Sequence, residues 1–458
     1  MRRSATTFLC SLLMSAAWGC NLDNPGDEPP KGLLYLPTGL LLSAPDPDVA
    51  PRYLYVVNSN FDLRYNSGSL QAFDLDELDR KVTDCDKPGP DCEIDPEDVL
   101  ADEVLVPSLA SYVAPSSGFT RLYIATRTDT NITFVDVRED QDNVLSCKDK
   151  DRRCDDSFMR YRDPLADERS LELPREAVSI VAGRGEEWFQ NADPPVSGEF
   201  ILVAHREGQV SLLRDDLGKA DLQLQDVLTL KQGSQPLEEP TGITYDPTTH
   251  LGYVSVFART TADIGDVKVL GRVGLASGGP EGYPAYLYDA DPLVLEGVSI
   301  GRDTRAIIPS PTVPGEALVI SQRPNSLLWV DIASAQDGSG VPTQAVVRRT
   351  TTVGRGPTRV ITGKLEDRTL AIVSCFDARE IYILDAVTSE VLSIVHNFSG
   401  PFELALDSAR KRLYVADFRS SVIRVLDLTP ILEGASESVP TAGIVATLGH
   451  PQQVQELQ

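Results

Sequence analysis

The chain is predicted to be all-β, a seven-bladed β-propeller of four-stranded antiparallel blades, preceded by a signal peptide and a short tether. Three observations carry this. A short apolar strand recurs seven times along the 458 residues, at intervals of 43 to 79. In most copies a turn rich in Pro or Gly precedes that strand, and an alternating strand ending in Asp follows it. Helical periodicity is nearly absent, and repetition of one small β unit at such spacing is the mark of radial or solenoidal architectures.

The recurring strand reads Leu54-Tyr55-Val56-Val57, Leu122-Tyr123-Ile124-Ala125, Ile201-Leu202-Val203-Ala204, Gly252-Tyr253-Val254-Ser255, Ala317-Leu318-Val319-Ile320, Leu370-Ala371-Ile372-Val373 and Leu413-Tyr414-Val415-Ala416. The preceding turn appears as Pro37-Thr38-Gly39, Pro240-Thr241-Gly242, Gly356-Pro357-Thr358 and Gly400-Pro401-Phe402. The following strand appears as Ala72-Phe73-Asp74, Phe134-Val135-Asp136, Trp329-Val330-Asp331, Ile383-Leu384-Asp385 and Val425-Leu426-Asp427. A fourth strand follows, as in residues 391–395 and 444–448. The shortest interval just accommodates four strands and tight turns, so the longer ones carry insertions. The repeated Asp residues at strand ends are read as turn caps, because Asp bonds its own backbone two residues on. Ring closure has two readings: complete blades in sequence, or Leu33-Leu34-Tyr35-Leu36 adding an outer strand to the last blade.

Segment 400–428, GPFELALDSARKRLYVADFRSSVIRVLDL, resembles the YVTN-type propeller repeat, in which a proline turn, an LYVAN-like strand and a VxVID-like strand recur. The resemblance spans residues 33 to 450. It implies the propeller fold. It does not choose a function, because such repeats occur in binding modules, in sugar-lactone hydrolases and beside haem-containing enzymes.

The remaining boundaries follow from composition. Arg2 and Arg3 precede an apolar run from Phe8 to Ala17, then Ala17-Trp18-Gly19-Cys20. A basic start, a brief apolar core and small residues before a cut make residues 1–19 a signal peptide. With Cys20 after the cut, the segment resembles a bacterial lipoprotein signal, which implies a lipid on Cys20, although Ala17 and Trp18 depart from that family's preferred residues. Ordinary cleavage after Gly19 is the other reading, giving a soluble periplasmic protein. Residues 20–32 are expected to be a lipid-linked flexible tether, 33–450 the propeller and 451–458 a tail. Asn21 is not the Asp that retains such lipoproteins at the inner membrane, so the expectation is an outer-membrane anchor, with membrane contact through the lipid only. A net charge of −26 disfavours nucleic acid and anionic lipid as partners.

Two cysteine pairs, Cys85/Cys92 and Cys147/Cys154, share a spacing of seven and lie in acidic insertions at about 76–102 and 139–168. In an oxidising compartment each pair is expected to form a disulfide. A zinc site is the rival reading, but the spacing is wide for a knuckle and no His is near. Both insertions follow the third strand of a blade. They are expected on one face as solvated aspartate-rich loops, with a partner-docking or calcium-binding lobe as the alternative. Cys375 lies in an apolar strand and is expected to be buried and free.

Every connection between the second and third strands holds an arginine: Arg64, Arg127, Arg206, Arg259, Arg323, Arg379 and Arg419. Arginine forms planar forks suited to carboxylates and phosphates, so these seven, with His205 beside them, are the candidate ligand rim. The alternative is local pairing with acidic neighbours such as Glu207, Asp377 or Asp417. Of the four histidines, none belongs to a His-x-x-x-His pair, and no Gly-x-Ser-x-Gly or Cys-x-x-Cys-His motif occurs. No catalytic residue, metal or cofactor is assigned. The function predicted is a non-enzymatic cell-envelope scaffold binding a protein, glycan or small anionic ligand. The alternative is a propeller hydrolase like the sugar-lactone-cleaving enzymes, which needs a His, a carboxylate and an Arg within reach of one another.

Overall fold

Strands that are apolar along their whole length, rather than alternating, must be covered on both faces. The recurring strands meet that condition: Tyr53–Asn58, Arg121–Thr126 and Glu199–His205 are buried at every residue. In the computed structural model the described residues run from 26 to 452. They exclude 44–48, 128–131, 142, 148–151, 160, 163–170, 191, 220, 233–234, 238, 258–268, 279–283, 297–302, 334–342 and 433–441. Cys20 and the expected signal therefore lie outside the described residues, as does Arg259.

The recurring strand is the second of four in each antiparallel unit. The first unit pairs Pro37–Leu42, Tyr53–Asn58, Gly68–Asp74 and Leu100–Val106 in chain order. The last pairs Pro401–Asp407, Arg412–Asp417, Val422–Asp427 and Gly443–Leu448 in the same way. Innermost strands Pro37–Leu42, Ala110–Pro115, Ala177–Arg184, Pro240–Asp246, Thr304–Pro309, Pro357–Leu365 and Pro401–Asp407 each touch the next, and the last touches the first. The chain is a closed β-propeller, with its blades standing around an axial channel.

The expected proline turns prove to be joints between blades. Thr38 Oγ1 donates to the carbonyl of Ala110 at 2.8 Å, Ser111 Oγ to that of Ala177 at 3.1 Å, and Thr241 Oγ1 to that of Thr304 at 2.9 Å. In each case the second residue of one innermost strand holds the first residue of the next. Gly39 leaves room for this packing, since a Cβ there would lie 3.1 Å from Val113 and Val57. Of the strand-end aspartates, Asp74, Asp385 and Asp427 accept from backbone N–H groups two or three residues on. Asp136 and Asp331 instead pair with Arg121 and Arg348.

Closure follows the first reading, complete blades in sequence, with an addition that neither reading contains. The last blade completes its own four strands, yet it gains a fifth from the first insertion: Glu93–Ile94 runs parallel to Thr447–Leu448. Residues 33–36 form no strand; Leu34 and Tyr35 are buried instead. The tether is pinned at its end, with Pro29 and Gly32 buried and the Gly32 N–H donating to Glu103 at 2.7 Å.

The two insertions are not merely solvated loops; they are seams along the outer perimeter. The first forms the helix Leu75–Thr83, capped by Asp74, which buries Leu75, Leu78 and Val82 in a cluster shared with Ala446 and Leu448 of the last blade. Arg410 and Arg412 of that blade pair with Asp76 and Asp79. The second insertion runs beside the outer strand of the first blade, where the Leu105 N–H donates to Arg152 O and the Cys154 N–H to Leu105 O. Farther on, its Tyr161–Arg162 pairs in parallel with Leu222–Gln223 of the third blade. Both expected disulfides, Cys85–Cys92 and Cys147–Cys154, are formed, and Cys375 is buried and free.

Candidate ligand-binding mouth

The two ends of the channel differ in chemistry. One end opens into a cavity of about 710 Å³ lined mainly by aliphatic side chains of the innermost strands, among them Leu40, Val113, Ile180, Ile361 and Leu404. The other opens on the side of the turns between second and third strands, as a cavity of about 420 Å³. Between them the Arg359 guanidinium donates to Glu403 at 3.0 Å and lies over the rings of Tyr112 and Phe402. Glu403 is 6% exposed, and burial pushes its carboxyl up while Arg359 pulls it down.

One repeated backbone bond builds the smaller mouth. In every unit, the residue just after the second strand's pairing with the innermost strand donates its N–H to the residue preceding that innermost strand. The donors are Ser59, Arg127, Arg206, Phe257, Gln322, Phe376 and Phe418; the acceptors are Leu36, Leu109, Glu176, Glu239, Asp303, Gly356 and Gly400, at 2.9 to 3.1 Å. Six of the acceptors, from Leu36 to Gly356, hold φ between 48° and 81°. That left-handed turn is free for Gly356 and mildly unfavourable elsewhere; six of the seven donor residues, all but Phe257, line the mouth.

This register sorts the six expected arginines that lie among the described residues. Arg127 and Arg206 occupy the repeated position and line the mouth. Arg323 stands one residue beyond it, exposed, 3.4 Å from Asp303. Arg64, Arg379 and Arg419 are exposed on the outer parts of their turns; Arg64 lies over Tyr65, and Arg419 over Phe376 at 4.6 Å. His205 sits behind the rim, fully buried, with Nδ1 3.2 Å from Arg175 O and Nε2 2.8 Å from Ser211 Oγ. Burial brings it down to about 4, so it is a neutral structural residue at ordinary pH.

Two sets of lining residues were not singled out in the sequence. Arg305 and Arg359 come from innermost strands, and Phe61, Phe376, Phe402 and Phe418 form an aromatic arc with ring centroids 5.9 to 6.3 Å apart. The signal was present: in the copies ending VSVF, VSCF and VADF a phenylalanine stands where IATR and VAHR carry arginine. That alternation belongs to one position of the turn and is hidden among arginines that stand elsewhere in it.

The cationic arc is incompletely compensated. Arg127 and Arg206 share one carboxylate oxygen of Glu176, at 3.8 and 3.3 Å. Burial, then the neighbouring Arg206, pulls the Arg127 guanidinium down, offset in part by Glu176, and its Nε is buried with no partner among the described residues. Burial likewise lowers Arg305, which stacks on Phe257 at 4.8 Å. Among the lining residues four arginines face one acidic side chain, Glu239.

No family model matches the chain, and no curated protein matches it. Solved structures similar to it include Kuenenia stuttgartiensis hydrazine synthase, with a TM-score of 0.53 and 10% identity over 86% of this chain and 96% of that one. Another is the Myceliophteria thermophila Cps50 (Swd1) β-propeller domain, with a TM-score of 0.46 and 11% identity over 85% and 96%. At 10% identity the likeness to the first speaks for the fold alone.

Proposed function

We propose that this chain is a non-enzymatic binding module of the cell envelope: a seven-bladed propeller of the YVTN type, anchored through a lipid on Cys20, whose arginine-bearing mouth takes an anionic partner. The observation that carries the reading is the pair Arg127 and Arg206, two guanidinium groups on a single carboxylate, one of them with a buried N–H that has no partner among the described residues. A buried cation with an unmet donor is stabilised by an incoming anion, and its planar fork suits a carboxylate or phosphate. Because the rest of the chain is strongly acidic, the mouth is the place where an anion meets least repulsion. Among the described residues that line the mouth there is no histidine, which favours binding over the acid–base chemistry of a lactone hydrolase. The two disulfides fit an oxidising, exported compartment.

Two experiments test this. A photo-crosslinking residue in place of Phe61, in cells, should give a discrete adduct that is lost on Arg127→Ala with Arg206→Ala and weakened by added salt; the same residue in place of exposed Thr388 should give none. Equal adducts at both positions, or adducts indifferent to the arginines, would defeat the reading. Cys20→Ser should move the protein from the membrane to the soluble envelope fraction, and unchanged membrane association would argue against the anchor.

A further inference from the structure

Charge alone does not describe the mouth, because its two arcs have opposite character. Going round the ring, the repeated position carries arginine in the second and third blades and phenylalanine in the fourth, sixth and last; Phe257 of the fourth lies against Arg305 outside the lining, and Phe376 and Phe418, with Phe61 of the first blade, make the aromatic side. The phenylalanines already pack against one another, edge to face at 6.1 Å for Phe61 and Phe418, leaving Phe61 half exposed to the cavity. An exposed aromatic cluster of this kind gains from covering by a further apolar group, at about 25 cal/mol for each Å² removed from water. Opposite it, Arg127 and Arg206 with Glu176 between them carry a net single positive charge, matched to one monoanionic head rather than a dianion.

We propose, building on the anion-binding reading above, that the mouth recognises an apolar carboxylate: one carboxylate forked by Arg127 and Arg206, attached to a hydrophobic ring or chain laid on Phe376 and Phe418. A cavity of about 420 Å³ suits a single such group. The same chemistry is offered by a free aryl or alkyl acid and by the C-terminus of a peptide ending in an apolar residue.

The probes are 3-phenylpropanoate, its neutral isostere 3-phenylpropanamide, and a ten-residue peptide ending in Phe with either a free or an amidated C-terminus. Calorimetric titration of the mature protein should show each acid binding at least tenfold more tightly than its amide. Arg127→Gln with Arg206→Gln should erase that preference, and Phe376→Ala with Phe418→Ala should weaken acid and amide alike. If a double variant fails to fold, Arg127→Lys alone, which keeps the charge but loses the fork, should still narrow the acid–amide ratio. A peptide acid binding more than tenfold tighter than phenylpropanoate assigns the ligand to a chain terminus; equal binding assigns it to a small acid. Absence of binding by every probe, or an acid–amide ratio near one in the unaltered protein, overturns the proposal. If the Phe61 adduct still depends on the arginines in that case, the ligand class is wrong and the anion site stands.

Discussion

Removing the Cys85–Cys92 bridge, as Cys85→Ser with Cys92→Ser, asks whether the first insertion closes the ring or only decorates it. The bridge spans a sequence separation of seven. In the chain-entropy account, closing so short a loop is worth about 2.4 kcal/mol. That cost alone would be spread over the whole molecule. The structure predicts a local component as well, because the bridged segment supplies three backbone bonds to the last blade's outer strand. The Thr447 N–H donates to Cys92 O and the Gly89 N–H to Val445 O, both at 2.8 Å, and the Gly449 N–H donates to Ile94 O at 2.9 Å. Hydrogen exchange read by mass spectrometry on peptides covering 443–449 should therefore accelerate in the variant by far more than on peptides covering 368–385. Ile94→Ala, which leaves the bridge intact but removes a side chain 4% exposed, should cost about 2–5 kcal/mol and accelerate the same peptides. Uniform acceleration along the chain, or unchanged exchange at 443–449 in both variants, would refute the clasp.

Three further outcomes are expected. Asp215→Asn should destabilise the protein by about 1–3 kcal/mol in guanidinium unfolding, since the buried Arg121, whose Nη1 lies 2.8 Å from both oxygens of Asp215, would keep Asp136 as its one carboxylate partner; an effect under about 0.5 kcal/mol would show the pair to be idle. Because the folded His205 titrates near 4, below its ordinary 6.5, the unfolded chain takes up the proton first as pH falls. Its contribution is complete above 6.5 and drains between 6.5 and about 4, by about 3 kcal/mol, so His205→Gln should flatten that limb of the stability profile, whereas parallel profiles would contradict the burial argument. The Cys375 thiol, pushed up to about 12 by burial, should resist alkylation in the native protein and react after unfolding, and the four insertion cysteines should react only after reduction.

What could be read in the sequence is what local physics determines. The strand around Tyr55 is recognisable because a strand covered on both faces needs four consecutive apolar residues, and Asp385 is recognisable because its carboxylate bonds the N–H groups of Val387 and Thr388 within its own turn. The mouth was half legible. Arg127 and Arg206 stand out as arginines in equivalent turns, but separating them from Arg64 or Arg379 requires the register of the second strand against the innermost one. A shift of one or two residues along a turn decides between axis and solvent. Phe376 and Phe418 escaped notice for a related reason: a phenylalanine after an apolar strand reads as the strand's continuation. The roles of the insertions were not legible at all. Nothing local to Glu93-Ile94 announces a partner more than 350 residues away at Thr447-Leu448, and eleven acidic residues in that stretch suggest solvent.

The perimeter contacts share one logic. A propeller blade widens outward, so its outer strand is the edge least supported by neighbours and the one that exposes unpaired backbone groups. In this chain several of those edges are covered. Glu93–Ile94 covers the last blade, the Arg153 segment covers the first, Tyr161–Arg162 covers the third, and the outer strands of the fourth and fifth blades pair directly in parallel through Leu293–Glu296 and Thr343–Val346. Each covering segment belongs to a different blade from the edge it covers. Opening any one edge therefore requires breaking a contact between blades, not only within one. The joints at Thr38, Ser111 and Thr241 bind neighbouring blades at the axis, and the seams bind them at the rim. Between those two rings of contacts the turns that carry Arg127, Arg206, Phe376 and Phe418 are held on a rigid frame, so the distance between the cationic and aromatic arcs is set by the whole ring rather than by any single loop. A ligand of the proposed kind, bridging the arcs, would then meet a preformed site and would spend little affinity on ordering it.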